Sequence, residues 1–411
     1  MQQVSVSRSS APVTTAEGPA PNGPVPHEHA QTSEGRDDNW GNPRVARNLF
    51  LWPALLAVLF LALFPLVASL YLALSYFSLA QGGFALRWAG LNNFANLFIG
   101  FESTVFLGML QPPNAAGWVV FLAGAALLAW AIWRGFRSGQ LPTRSLLLRS
   151  AGAIFALALL WVFVQSVFGA GGFPGSLITT LIYAFGGTTI EYLLGLGLAI
   201  LTIQRLPGQR FFRVLFLIPM TITPVGVAYM FRMLTDTLVG PFAPIWSAAG
   251  LSSFSLLNDP WGARIAVILG DVWQWTPFMF IVLIAALEGR DLEAEEAGLV
   301  DGASRWQIFR YITLPAILPV SATVVFIRLI EAFKIIDLPN VMTNGGPGTA
   351  TESVTMEAYL SWKGFDLGLS AATAYTLLVL VTIVALAYVT LVLRRARAET
   401  MGVLGGGGGG S

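Results

Sequence analysis

Eight apolar runs, each long enough to bridge a lipid bilayer, constrain this chain more than any other feature. They lie at roughly 49–77, 115–133, 150–168, 178–203, 211–235, 265–287, 316–338 and 369–393. A helix crosses the hydrocarbon core with about 20 apolar residues. In lipid, only helices and closed barrels satisfy every backbone N–H and C=O. The expected fold is an all-α polytopic membrane protein with about eight transmembrane helices. Composition agrees: 55% of residues are hydrophobic and 11% charged, whereas soluble domains carry about 25% charged residues. So few charges could not cover a water-facing surface.

Loop charge sets the expected orientation. Arg44 and Arg47 precede the first run. Arg134, Arg137 and Arg144 follow the second, Arg205, Arg210 and Arg213 the fourth, and Arg394, Arg395 and Arg397 the eighth. The positive-inside rule makes that side cytoplasmic. The loop at 288–314 joins it, both termini fall there, and the loops at 78–114, 236–264 and 339–368 fall outside. Trp246, Trp261 and Trp362 sit near the expected interfaces, where amphipathic rings are favoured.

Several function classes drop out. Net charge is +1, which gives no field for nucleic acid, and cysteine is absent, which removes disulfides and thiolate sites. The only histidines, His27 and His29, lie in a polar tail and read as solvated, so no metal site is expected. Residues 1–42 read as a disordered cytoplasmic leader without a cleavable signal peptide. The GGGGGGS run at 405–411 reads as an appended linker.

The loop between the sixth and seventh runs reads EGRDLEAEEAGLVDGASRWQIFRYITLPAILP. It is too polar to cross the membrane. Glu288, Asp291, Glu293, Glu295 and Glu296 crowd the expected start of a helix, where acids suit the dipole. Ala294, Ala297 and Gly298 offer a face of small residues. Gly302 suits a left-handed turn. A second short helix follows, with Trp306, Phe309, Tyr311 and Ile312 available for burial, and Pro315 opens the seventh run. Spacing alone fits two readings: a docking elbow, or an amphipathic loop on the bilayer surface.

Charges also sit at membrane depth, where each costs about 2.5–3.5 kcal/mol on insertion scales and so marks protein or water. The seventh run carries Arg328, Glu331, Lys334 and Asp337, of which the first three share a stripe and could pair. Asp271 and Gln274 stand beside Trp273 and Trp275 on the sixth. This mixture of carboxylate, amide, guanidinium and aromatic ring suits a sugar's hydroxyls and flat faces. Glu191 and Arg232 read instead as structural.

EAGLVDGA followed by ITLP resembles the EAA motif of ABC importer permeases. Glu296, Ala297, Asp301, Gly302, Ala303, Ile312, Leu314 and Pro315 stand in register, and Gly298 replaces the motif's second Ala. The resemblance implies a loop that inserts into a partner ATPase and transmits its closure. FKIIDLPNVMTNGGPGTATES, MEAYLSWKGFDLGLSAATAY, LIPMTITPVGVAYMFRML and GLNNFANLF are similar to the carbohydrate-uptake branch, specifically the larger permease subunit of maltose-type systems. Counted from Pro219, Pro277 and Pro315, the family's sugar-contacting positions fall on Met220, Pro224, Asp271, Gln274, Trp275, Arg328, Ala332 and Ile335. Several residue types differ, so the location of the pocket carries over and its ligand does not.

The resemblance implies this organisation: 45–110, first core helix and outer segment; 111–170, an extra transmembrane hairpin on a six-helix core; 175–395, permease core with its ATPase-coupling loop at 288–315. It also implies a second homologous permease, two nucleotide-binding ATPase subunits, an extracytoplasmic solute-binding protein and a bacterial cytoplasmic (inner) membrane. The chain has no GxxxxGK[ST] loop, so ATP and magnesium are expected on the partners and no cofactor on this non-catalytic subunit. Two rivals remain: an ion-driven secondary transporter using Glu191, Asp271 and Asp337, and a membrane anchor with no pathway.

Overall fold

The computed structural model describes residues 43–80, 83–137, 143–204, 208–237, 239–250 and 256–390. The leader at 1–42, the arginines at 394–397 and the linker at 405–411 lie outside them. The chain divides into two compact units, residues 1–61 and 62–411. The first carries helix α1 (Pro43–Val58), from which Trp52, Leu56 and Val58 project exposed, as a lipid-facing helix requires.

The second unit begins with α2 (Phe64–Ala73) and a hairpin, β1 (Ser75–Ala80) with β2 (Gly83–Trp88). Then come α3 (Asn92–Phe98), α4 (Ser103–Phe106), β3 (Gly108–Met109), α5 (Ala115–Arg137), α6 (Thr143–Phe168) and β4 (Phe173–Pro174). α7 (Ser176–Leu181) runs through a π-helical turn, Ile182–Gly187, into α8 (Thr188–Ile203). α9 (Gln209–Thr221), α10 (Pro224–Thr235), α11 (Ala243–Ala248) and α12 (Pro260–Glu288) follow. α13 (Glu293–Val300), α14 (Arg305–Ile308), a π turn at Phe309–Thr313 and α15 (Leu314–Ala332) form the next stretch. α16 (Asp337–Thr343), α17 (Val354–Lys363) and α18 (Leu367–Tyr388) end the described chain.

Local chemistry explains many of these starts. Pro occupies the first turn of α2, α10, α12 and α15, where its missing N–H costs nothing. Thr223, Asp259, Ser353 and Asp366 cap α10, α12, α17 and α18 through their side chains. α12 is the centre of the packing, with Ala263, Val267, Met279, Phe280 and Leu283 all buried. It lies closely along α8 because Gly195 has no side chain. A Cβ there would come 2.5 Å from Met279 Cβ and 3.0 Å from the Phe280 nitrogen. Asn93, inside the GLNNFANLF segment, is buried and donates from Nδ2 to the Ala73 and Ser75 carbonyls at 2.9 and 3.0 Å. It thereby fastens the end of α2 to the start of the hairpin.

Several expectations change. Among the described residues, five helices are long and apolar enough to span a membrane: Leu51–Ala73, Ser176–Ile203, Pro260–Glu288, Arg305–Ala332 and Leu367–Tyr388. The run at 211–235 is not a straight span but a pair bent by 97° between Thr221 and Pro224, which makes six if counted as one. Pro224 favours this break because the residue before a proline is pushed out of the helical region, and Thr223 has ψ 146. The extra hairpin contributes shorter apolar helices, Ala115–Trp130 and Gly152–Phe168, so the described residues do not give eight full spans. The fold is mostly helical as expected, and among the described residues it also carries two short antiparallel pairs, β1–β2 and β3–β4. The seventh span ends at Ala332, so Lys334 and Asp337 lie beyond it.

Gly195→Val is expected to destabilise the protein by about 1–3 kcal/mol through overpacking, read as a lower thermal midpoint in detergent. Gly197→Val, where an added Cβ meets open space, is the control. Equal midpoints would contradict the close α8–α12 approach.

Candidate functional site

Two sites emerge, one inside the helix bundle and one at the loop that feeds it. In the bundle, Arg328 on α15 grips Glu191 on α8 side-on, Nε to Oε2 and Nη2 to Oε1, both at 2.8 Å. Its Nη2 also donates to Asp271 Oδ2 on α12. Glu191, Arg328 and Asp271 are all buried. The Trp275 ring lies beneath the guanidinium, 5.0 Å from its carbon. Charge-assisted bidentate pairing of this kind fixes geometry as well as energy. Three helices are thus held at one point.

The backbone prepares that point. The π turn Ile182–Gly187 precedes Glu191, and Gly187 keeps space open beside the carboxylates. A Cβ on Gly187 would lie 3.5 Å from Asp271 Oδ2 and 3.9 Å from Glu191 Oε1. On the next face of α12, Gln274 donates to the Ile222 carbonyl at 3.1 Å, in the break between α9 and α10. Its buried Oε1 has no partner among the described residues. Irregular backbone at membrane depth is tolerated where protein groups or water satisfy it, and Gln274 does so here.

The structure brings Asp271, Trp275 and Arg328 together and sets Gln274 beside the helix break near Met220 and Pro224. It separates the others. Glu331 does not join Arg328. It pairs with Lys334 at 2.7 Å, with both side chains about half exposed. Ala332 packs with Phe333, Leu329 and α18, whereas Ile335 packs with Tyr183, Ala228 and Leu338. Glu191, read as structural, forms an interhelical ion pair whose partner, Arg328, sequence reasoning did not name, while Arg232 is exposed and donates to the Val341 carbonyl. The available signal was charge balance: two acids at depth on neighbouring runs need a cation.

The loop is an ordered elbow. α13 ends in a Schellman motif, with Ala303 N–H donating to the Gly298 carbonyl at 2.9 Å and Gly302 N–H to Leu299 at 3.1 Å. Gly302 has φ +80 and open space around it, so glycine is needed for conformation rather than room. Ser304 then starts α14 through a capping box with Gln307. Gly298 faces Ile308 and Ile312, and an added Cβ would come 3.0 Å from Ile312 Cδ1. This close approach accounts for glycine where the motif has a second alanine. Asp301, Gly302, Ala303, Ile308, Tyr311 and Ile312 border a depression of about 360 Å³.

Glu295 is the brace of the elbow. It receives both Nε and Nη2 of Arg290, at 2.7 and 2.9 Å, and the hydroxyl of Thr313. Burial alone would raise its carboxyl, yet these hydrogen bonds and the Arg290 charge hold it below its ordinary range. Glu296, Ala297, Asp301 and Pro315 stay exposed, and Leu314 is half-buried. Trp306 and Tyr311, available for burial by their chemistry, are 69% and 75% exposed, and Ile308 is buried. Leu292, Leu299 and Val300 are exposed beside them. The elbow therefore presents an apolar surface away from its own core.

Comparison with known proteins places this architecture. Residues 191–398 match the family model described as "Binding-protein-dependent transport system inner membrane component". The match contains both the ion cluster and the elbow. The chain is 34% identical over 215 residues to the trehalose/maltose transport system permease protein MalF of Thermococcus litoralis, covering 52% of this chain and 73% of that protein. It is 31% identical over 219 residues to the trehalose transport system permease protein SugA of Mycobacterium tuberculosis, covering 53% and 69%. In fold it resembles a chain of a bacterial ABC transporter involved in import of the acidic polysaccharide alginate, with a TM-score of 0.55 at 18% identity, covering 85% and 97%.

Arg328→Met is expected to cost about 3–5 kcal/mol, because it leaves two carboxylates buried without their cation. The triple change Glu191→Gln, Asp271→Asn, Arg328→Met should recover most of that loss. Chemical or thermal unfolding of the three proteins decides. A triple variant no more stable than Arg328→Met would refute an electrostatic unit.

Proposed function

The chain belongs to the family of binding-protein-dependent transport system inner membrane components, and from that premise we propose that it lines the pathway of an ATP-driven importer for a sugar or sugar-like solute. The observation that carries the reading is mechanical continuity. The Schellman elbow at Gly302 runs through the π turn and Pro315 into α15, which bears Arg328. A partner that moves the elbow therefore moves the helix that closes the ion cluster. The exposed Leu299, Val300, Trp306 and Tyr311 offer it an apolar docking surface.

The partners in this reading are a second homologous permease, two ATPase subunits and an extracytoplasmic solute-binding protein. The ATPases bind ATP and magnesium, and this chain performs no chemistry. Alternating access follows from rocking of α15 against α8 and α12. The arginine-rich loops support a cytoplasmic elbow, and the Arg213–Glu288 pair joins α9 to the end of α12 beside it. Family membership speaks against the ion-driven rival, since a binding-protein-dependent system is not an autonomous ion-coupled carrier, and against an anchor with no pathway.

Relatives named for trehalose and maltose support a sugar. Charge supports a neutral one. Arg328 is matched by two carboxylates and Lys334 by Glu331, so neither offers a free cation to an acidic sugar. Solute contacts are assigned to Asp271, Gln274 and Trp275, with Met220 and Pro224 at the helix break. Arg328 and Glu191 hold that wall in place.

In proteoliposomes carrying the full assembly, uptake of a labelled disaccharide should require ATP and survive an uncoupler. Uptake abolished by the uncoupler alone would restore the ion-driven reading. Gly302→Val forces a branched residue into the left-handed region, at about 1–2 kcal/mol or more, and should lower solute-stimulated ATPase activity roughly tenfold. Gly302→Asn, tolerant of that conformation, should retain most of it. Full stimulation in Gly302→Val would remove the elbow from the coupling path.

A further inference from the structure

A second buried carboxylate group lies well away from the Arg328 cluster. Four hydroxyls stitch α7 and the turn after it to the segment 350–357. Ser176 donates to Glu357 Oε2, and Thr179 donates to the Ala350 carbonyl at 3.4 Å. Thr180 accepts from Val354 N–H at 2.9 Å, and Tyr183 donates to the Thr351 carbonyl at 3.3 Å. Glu357 stands at the end of this seam, only 4% exposed, and its Oε1 has no partner among the described residues.

The charged groups acting on Glu357 are all acids. Glu352 precedes α17 and is itself 7% exposed, wedged against Gly345, where an added Cβ would lie 2.8 Å from its Cγ. Glu102, at the start of α4, acts on both. α7 contributes only the neutral hydroxyl of Ser176. Among the described residues no cation is found acting on either glutamate, in contrast to Arg328 between its two carboxylates. A carboxylate oxygen this buried, unpartnered and facing like charge is satisfied by a proton.

We propose that Glu357 is a proton-binding site: it keeps its proton at neutral pH, and giving that proton to water places a charge in the seam and loosens α7 from the segment 344–363. Burial, opposed by the Ser176 hydrogen bond and reinforced by Glu352 and Glu102, pushes the Glu357 carboxyl up to about 8. Burial and Glu102 push Glu352 up to about 7. The sign follows. Both groups bind protons more tightly folded than unfolded, so their stabilisation is complete below the ordinary glutamate range and is lost as pH rises through about 7 to 8. On the orientation read above, this seam faces the extracytoplasmic medium, and the proposal itself does not depend on that orientation.

The test is hydrogen–deuterium exchange over residues 344–363 in the full-length protein in lipid nanodiscs, corrected for the intrinsic pH dependence of exchange. The wild type should lose protection about fivefold or more between about pH 6 and pH 9. Glu357→Gln, which mimics the protonated acid, should stay protected across the range. Glu352→Gln removes a like charge and should move the transition to lower pH. Ser176→Ala removes a donor that favours the anion and should move it to higher pH. Opposite shifts in these two variants support the site even if Glu357→Gln fails to fold. A wild type without a transition, or shifts absent in both variants, would overturn it.

Discussion

The guanidinium of Arg328, held between Glu191 and Asp271 inside a bilayer-spanning bundle, is the interaction on which the arrangement turns. Three ionisable groups out of water carry a large desolvation cost. They persist because the geometry is nearly saturated, with a side-on fork to one carboxylate, a further bond to the second and an aromatic face below. Such a cluster adds little net stability compared with apolar packing, but it tolerates few alternatives. Any displacement of α15 along α8 or α12 breaks bonds that cannot be remade with lipid. The bundle is therefore better suited to switching between discrete arrangements than to gradual sliding.

That property gives the elbow its meaning. Its own fold is set by local rules: a left-handed glycine, a capping box, two isoleucines against Gly298, and the Arg290–Glu295–Thr313 brace. Together they make a stiff unit continuous with α15. Force applied at its exposed apolar surface reaches the ion cluster through one helix. The helix break at Ile222 and Thr223 lies against the next face of α12, where Gln274 satisfies one orphan carbonyl. The outer seam closed by Glu357 belongs to a separate packing region. Among the described residues its carboxylates have no compensating cation, in contrast to the inner cluster, where Arg328 lies between two acids.

Much of this was legible in the chain. Apolar run length located the helices, because hydrocarbon imposes a length and a composition on anything that crosses it. The elbow's position and its glycine were legible because turns and caps are local. The misses share a cause. The bend at Thr221–Pro224 lies within one run long enough to span, and although Pro224 marks the place, hydropathy does not register backbone direction. Arg328, Glu331 and Lys334 share a helical stripe, yet the helix ends at Ala332, and Arg328 turns instead to acids 137 and 57 residues away in sequence. Trp306, Phe309, Tyr311 and Ile312 were all available for burial by their chemistry, and only the packed elbow separates the exposed Trp306 and Tyr311 from Phe309 and Ile312.

Run length and local motifs were enough to establish that the chain lives in lipid, roughly where most of its long helices lie, and that a glycine elbow precedes the helix bearing Arg328. Each of these follows from the solvent or from neighbours a few residues apart. Which charges meet, that Glu191 is the partner of Arg328, and that Glu357 is buried with no cation beside it among the described residues, came from the packed fold. Those outcomes depend on how α8, α12 and α15, or α7 and α17, are laid side by side. Helix packing in a membrane is set by close approach at residues such as Gly195 and by the need to satisfy every buried polar group at once, and neither condition is local in the sequence.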